Sequence, residues 1–239
     1  MNGVKKSAEP EVPPFAENVK AWSQTEQLDG EKESLGFYLS GHPIKPYLPE
    51  LTQLIRTRLV DVRPTENKQT VRVAGWVTDL RTNTKRGRIA FITLDDSTAR
   101  MEVKVYSELY ATVEELLVKD TLLIVEGEVR IDEYNGGHGM TAKKLLTLEM
   151  ARENLSNRLE ITISSPTTAS DLAPKITKTL SPHRQGRCVV LIHYHRQDAQ
   201  VELQLGDNWR IKPNAVVLGQ LKELLGEEQV KVIYTPHGH

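Results

Sequence analysis

The sequence predicts a mainly β protein followed by a smaller α+β unit, and two observations carry that prediction. From Thr70 onward apolar residues recur at every second position, whereas before it they recur at helical spacing. The alternating runs come in the order three strands, one helix, two strands, with a glycine inside the first run and another inside the fourth.

Residues 1–20 are rich in Pro, Glu and Lys, have no periodicity, and read as a flexible linker. Residues 21–63 read as a helical lead-in. Ser23-x-x-Glu26 has the form of a capping box, in which each side chain satisfies a free backbone N–H at the helix start. The helix is expected to run to about Ser40, where Gly41 and Pro43 stop it. A second short helix places Tyr47, Leu48, Leu51, Leu54 and Ile55 on one face.

Residues 64–152 hold the alternating runs. In the first strand Val71, Val73, Gly75 and Val77 alternate with Arg72, Ala74, Trp76 and Thr78, and Gly75 suggests a bulge or sharp coil. The second strand, residues 88–94, closes on the turn Asp95-Asp96-Ser97. In the third, Met101, Val103 and Val105 alternate with Arg100, Glu102, Lys104 and Tyr106. Ser107 is expected to cap a helix carrying Leu109, Val113, Leu116 and Leu117. The fourth strand, residues 121–131, contains Gly127, and the turn Asn135-Gly136-Gly137 leads to the fifth, residues 140–148. This order is that of an OB-fold, a five-stranded Greek-key barrel with its helix between strands three and four.

A charged connector, residues 151–158, separates this barrel from a small α+β domain over residues 159–235. Strands are expected at 159–163, 187–195, 200–205 and 230–234, with helices near 171–180 and over Val217, Leu218, Leu221, Leu224 and Leu225, the latter stopped by Gly226.

The totals narrow the function. With 38% hydrophobic and 26% charged residues, the 239-residue chain has the composition of an ordinary globular protein. Its longest apolar runs, at 122–125 and 189–192, are too short to cross a bilayer, and no apolar core follows Lys5 and Lys6, so a cytoplasmic protein without membrane contact is expected. The single cysteine, Cys188, excludes an internal disulfide and a cysteine-based zinc site. A net charge of −1 argues against a uniformly basic surface. Yet no acid lies between Asp79 and Asp95, a gap that holds Arg81, Lys85, Arg86 and Arg88. One basic loop is enough to grip a phosphate backbone locally.

OB-folds bind on the outer face of strands two and three, between the loops joining strands one to two and four to five. Phe91 has the parity opposite to Ala90, Ile92 and Leu94, and so points outward. Phe91, Tyr106 and Tyr134 are candidates to stack bases, while Arg81, Lys85, Arg86, Arg88, Arg100 and Lys104 would neutralise phosphates; Glu102 opposes them. Single-stranded nucleic acid is the expected ligand. No catalytic residue, cofactor or metal is expected. His193 with His195, and His237 with His239, lack further ligands in the pattern; Asp95-Asp96 suits a turn; Cys188 has no patterned partner; and no P-loop, G-x-G-x-x-G or G-x-S-x-G occurs. Trp209 and Arg210, near the chain end, are of the types that anchor protein interfaces.

The segment Asp29-Gly30-Glu31-Lys32-Glu33-Ser34-Leu35-Gly36-Phe37-Tyr38-Leu39-Ser40-Gly41-His42-Pro43 closely resembles part of the bacterial DNA polymerase III alpha subunit. The resemblance continues through Thr84-Lys85-Arg86-Gly87, Thr93-Leu94-Asp95-Asp96, Leu123-Ile124-Val125-Glu126-Gly127, Met140-Thr141-Ala142, Pro182-His183-Arg184 and Trp209-Arg210. It implies an OB domain that contacts single-stranded template and a terminal domain that binds the tau subunit of the clamp loader. The family's polymerase aspartates and phosphoesterase-like domain have no counterpart here, so the remainder of the alpha chain is an implied partner and polymerisation is not expected of these residues. The family's glutamine-led clamp-binding peptide also has no match. The barrel motifs alone would also suit the anticodon-binding domain of a class II aminoacyl-tRNA synthetase, and a replisome scaffold with a barrel that leaves nucleic acid alone is the alternative function.

Overall fold

The computed structural model describes residues 22, 24–36, 38–64, 70–83, 88–131, 138–164, 169–195 and 200–235. The linker over 1–20, Ser23 of the capping box, the turn at 135–137 and the tail beyond Thr235 lie outside them. The chain divides into two compact units, residues 1–43 and 44–239.

In the first unit a helix, α1 (Gln24–Leu35), stops short of the expected Ser40. Gly36 takes φ 79°, a conformation open to glycine, and its N–H bonds the Lys32 carbonyl at 2.9 Å, which ends the helix there. The returning chain is held by Glu31, whose carboxylate accepts from the Leu39 and Ser40 N–H groups at 2.7 and 2.9 Å.

The second unit opens with a 3₁₀ turn (Lys45–Tyr47) running into α2 (Leu48–Leu54), which buries Leu51 and Leu54 but leaves Leu48 exposed. Five strands follow: β1 (Thr70–Asn83), β2 (Ile89–Asp95), β3 (Arg100–Val105), β4 (Leu122–Ile131) and β5 (His138–Thr147). They close into a barrel in the order β1-β2-β3-β5-β4, with a parallel β3–β5 pairing and antiparallel neighbours elsewhere. This is the OB-fold. Its interior is filled by Val73, Val77, Ala90, Ile92, Leu94, Val103, Val125 and Leu145, while Tyr110 and Val113 of α3 (Ser107–Val113) close it. Ser107 is the first residue of that helix and makes no side-chain cap; Tyr106 holds the cap position.

The two strand glycines serve close approach. A Cβ on Gly75 would lie 2.8 Å from Leu94 Cβ, and one on Gly127 would be driven into the Thr141 carbonyl oxygen. The bulge of β1 is not at Gly75. Pairing with β2 shifts register between Val77 and Asp79, leaving Thr78 as the extra residue.

Residues 151–158, expected as a connector, are ordered structure. Thr147 accepts the Met150 N–H at 3.2 Å and starts α4 (Leu148–Leu155), which passes directly into β6 (Ser156–Ile163). Then come α5 (Ala169–Leu180), β7 (Arg184–His195), β8 (Gln200–Gln204), α6 (Ala215–Leu225) and β9 (Val230–Tyr234). The strands form a sheet in the order β8-β7-β6-β9. Ile176 and Leu180 of α5 and Val217, Leu218 and Leu221 of α6 join Leu159, Ile161 and Val190 of the sheet in one core. Asn214 caps α6 by accepting the Val217 N–H at 3.0 Å.

That second core also takes in the barrel. Ala74, Ile124 and Leu146 are mutual partners across β1, β4 and β5 on the outer side of the barrel, and all three are buried in it. Beside this seam Glu50 of α2 accepts from Arg152 Nε and Nη2 at 2.8 and 2.7 Å, and the Tyr234 hydroxyl of β9 donates to the same carboxylate. Burial pushes the Glu50 carboxyl up, but the hydrogen bonds from Arg152 and Tyr234, with the charges of Arg152 and Lys222, outweigh it and hold the group below its ordinary 4.5. Burial and the Glu50 charge push the Tyr234 phenol upward.

A carboxylate whose folded pKa is depressed adds stability that is complete above its unfolded value and is lost as pH falls through the folded one. Glu50→Gln should therefore cost about 3 kcal/mol at pH 7. The gap from the parent should narrow as pH drops below 4.5, read from urea unfolding at each pH. A gap independent of pH would assign the loss to packing instead.

Candidate nucleic-acid interface

The outer face of β2 and β3 is built by register. Arg81 of β1 pairs with Phe91 of β2, and Phe91 with Lys104 of β3, so the three side chains form one row across the barrel. The bulge at Thr78 puts Arg81 there. Val77 pairs with inward Leu94, and without the extra residue unbroken alternation would turn Arg81 into the core. Phe91 is half-buried while Ala90, Ile92 and Leu94 are fully buried, and Lys104 Nζ stands 5.4 Å from the Phe91 ring centroid. Tyr106, 44% exposed, follows β3 at the same parity.

The adjoining row is acidic. Asp79 pairs with Thr93, and Thr93 with Glu102. Arg81 reaches into it, with Nη2 2.6 Å from Glu102 Oε2 and Nε 3.3 Å from Asp79 Oδ2. Lys119 Nζ donates to Asp79 Oδ1 at 2.7 Å. That hydrogen bond from Lys119, with the charges of Lys119 and Arg81, outweighs desolvation and holds the Asp79 carboxyl below its ordinary range. Asp79 and Lys119 were not among the residues expected here. Lys119 arrives from the segment after α3, and only the closed barrel brings it near.

Two further expected residues sit away from the row. Arg88 bonds the Glu114 carboxylate at 3.2 Å, beside the Tyr110 hydroxyl, which donates to the same group at 3.1 Å. Arg100, at the opposite end of β3, donates to Asp95 Oδ2 at 2.7 Å. Lys85, Arg86 and Tyr134 fall outside the described residues.

Asp95 and Asp96 form a turn. Asp95 accepts the Ser97 N–H at 2.9 Å; Asp96 accepts from Thr98 N, Thr98 Oγ1 and Ala99 N through one oxygen and from Leu59 N at 2.8 Å through the other. Glu202 does stand beside His193, at 3.6 Å, but among the described residues no group of three or more His, Cys, Asp or Glu side chains gathers to hold a metal. Cys188 is buried, which pushes its thiol up to about 11.

In the terminal unit two separated motifs converge. The Arg184 guanidinium lies over the Trp209 ring at 4.7 Å, and Trp209 packs half-buried on the core beneath. Arg210 donates to Asp207 at 2.8 Å and to the Arg187 carbonyl at 3.3 Å. Ser181, Pro182, Arg184, Gln185, Asp207 and Asn208 line a polar cleft of about 620 Å³ beside the stacked pair.

Residues 71–163 match the family model described as an OB-fold nucleic acid binding domain, and residues 175–226 match that described as DNA polymerase III subunit alpha, C-terminal domain. The DNA polymerase III subunit alpha of Vibrio cholerae is 41% identical over 234 residues, which are 97% of this chain and 20% of that protein. Its Escherichia coli K12 counterpart is 38% identical over 218 residues, 90% of this chain and 19% of that protein. The chain is similar to the C-terminal region of DNA polymerase III subunit alpha. It spans about a fifth of the length of these DNA polymerase III alpha relatives. Among solved structures, asparaginyl-tRNA synthetase from Pyrococcus horikoshii shares 23% identity over 53% of this chain and 33% of that one, with a TM-score of 0.34. A replication protein A heterotrimer bound to ssDNA shares 13% identity over 33% of this chain and 57% of that one, with a TM-score of 0.27. The OB assignment rests on the barrel itself and on the family model. No helix among the described residues is long and apolar enough to cross a membrane.

Replacing Asp96 with Ala strands four donors at the barrel rim and should cost about 3 kcal/mol of stability. Millimolar Mg²⁺ should leave the thermal midpoint of the parent unmoved, since both aspartates are already committed to the turn. A midpoint that rises with Mg²⁺ in the parent but not in Asp96→Ala would reverse that assignment.

Proposed function

We propose that the chain is a non-catalytic C-terminal region of a replicative DNA polymerase, acting in the bacterial cytoplasm. Its barrel contacts single-stranded template DNA, and its terminal unit binds the tau subunit of the clamp loader. The observation that supports the first role is the row Arg81, Phe91 and Lys104, an aromatic ring between two cations on the barrel face that OB-folds use. A base stacked on Phe91 would leave its flanking phosphates within reach of both cations. Tyr106 extends the platform, and Lys85 and Arg86 lie in sequence between Arg81 and Phe91, while Tyr134 lies between β4 and β5. Trp209, with Arg184 stacked on it beside the polar cleft, supports the second role, since Trp and Arg are typical interface anchors.

One observation favours a scaffold that leaves nucleic acid alone: Arg81, Arg88 and Arg100 each already meet a carboxylate within the fold. Fluorescent oligo-dT separates the two readings. With Arg81, Lys85, Arg86 and Lys104 on phosphates, log K should fall with log salt at a slope of about −3, and Phe91→Ala should cost about 1–3 kcal/mol. Double-stranded DNA should bind more weakly than single-stranded. No binding at 50 mM salt, or a response flat in salt, would leave the scaffold reading.

For the terminal unit, Arg184→Glu should weaken capture of purified tau by about tenfold or more, in line with loss of an interface anchor. Arg81→Ala should leave tau capture intact. Deleting residues 160–239 is the poorer test, because it would strip the cover from Ala74, Ile124 and Leu146. Unchanged capture by Arg184→Glu would move the tau site off this cleft.

A further inference from the structure

The acidic row beside the proposed stacking platform has a geometry of its own. Glu102 is the direct neighbour of Thr93 on one side and pairs with Gly139 of β5 on the other, so it sits mid-face rather than at a margin. Its oxygen is 2.6 Å from Arg81 Nη2, and Asp79, oriented by Lys119, meets Arg81 Nε at 3.3 Å. Two carboxylates thus occupy the positions on the guanidinium fork that a phosphate would take, since carboxylate and phosphate satisfy the same planar donors. Both partners are open to solvent, with 65% of the Arg81 side chain and 43% of the Glu102 side chain accessible, so the pair is exchangeable.

We infer that Glu102 is a built-in competitor for the strand: each time a backbone phosphate reaches Arg81 it must displace this carboxylate, and Glu102 thereby limits affinity and speeds release. The inference rests on the proposed contact between the barrel and single-stranded DNA and adds to it a residue that sets the strength of that contact. The exchange has an electrostatic signature. When a phosphate replaces Glu102 on Arg81, the freed carboxylate regathers cations, which cancels most of the counterion release at that one contact. On this exchange the slope of about −3 expected for four full phosphate contacts belongs to Glu102→Gln, and the parent should show about −2. Lys104 is flanked on its row by Phe91 and Thr141, neither of them acidic. Arg81 is thus the contact at which affinity is tuned.

The test is a double-mutant cycle in the full chain, using fluorescent oligo-dT at several salt concentrations, with thermal midpoints checking that each variant is folded. Glu102→Gln keeps shape and hydrogen-bonding capacity but removes the charge. It should tighten binding by about two- to fivefold, the range an exposed ion pair can contribute. It should also steepen the slope of log K against log salt by about 0.7, the amount one additional phosphate contact gives on a single strand. In the Arg81→Ala background the same substitution should do neither. If Glu102→Gln tightens binding equally with and without Arg81, general repulsion of the strand is the cause and the exchange is wrong. If it changes nothing while the parent binds DNA, Glu102 is no competitor, and the barrel's contact with single strands still stands. If neither the parent nor Glu102→Gln binds at 50 mM salt, the contact and the competitor fall together. Binding by Glu102→Gln alone would show the competitor at its strongest.

Discussion

The barrel has two outer sides, and one of them is spent on the protein itself. The row Ala74, Ile124 and Leu146, across β1, β4 and β5, is buried in the core that also holds the terminal sheet and its helices. Each of those strands therefore carries apolar residues on both faces over part of its length, a pattern ordinarily met in sheets covered on both sides. The face of β2 and β3 is left to the solvent, and the polar and aromatic side chains follow from that choice. Which face of the barrel is exposed is thus decided by what covers the opposite side.

The bulge at Thr78 links the two sides. Val73 and Val77 point into the barrel, and the one unpaired residue after them hands the same odd-numbered positions, Asp79 and Arg81, to the outside. β1 thus points its odd-numbered residues inward in its first half and outward in its second. Bulges at barrel rims commonly re-aim side chains in this way. Here the re-aiming creates the cation row and the acidic row at once, because Asp79 and Arg81 turn out together.

Much of this was legible in the chain. The period-two runs, the helix between the third and fourth of them, and the outward parity of Phe91 needed only local pattern, and each stands in the structure. What local pattern could not reach was pairing over distance. Arg88 looks like a free cation in sequence, but Glu114, 26 residues on, is its neighbour in the fold, and Arg100 finds Asp95 across the β2–β3 turn. The opposite failure occurs at residues 151–158. Arg152 and Glu153 give that stretch the look of a solvated connector, yet Ala151 is fully buried and Arg152 is held by Glu50. Thr147 at the helix cap was the one local signal available there. The end of α1 shows a third kind of limit. Two stop signals lay within reach, Gly36 and Gly41, and propensity alone does not rank them; Glu31, by bonding Leu39 and Ser40, favours the first.

The Glu50, Arg152 and Tyr234 cluster joins α2, α4 and β9, three elements that come from before the barrel, just after it, and the end of the terminal sheet. With the apolar seam beside it, this makes barrel and sheet poor candidates for exchange as modules. A homologous barrel grafted onto this sheet would arrive with its own outward residues on β1, β4 and β5 and without the carboxylate that receives Arg152. A change on the hidden side of β1, β4 or β5 would therefore have to be matched in a sheet encoded dozens of residues downstream, whereas one on the β2–β3 face would not.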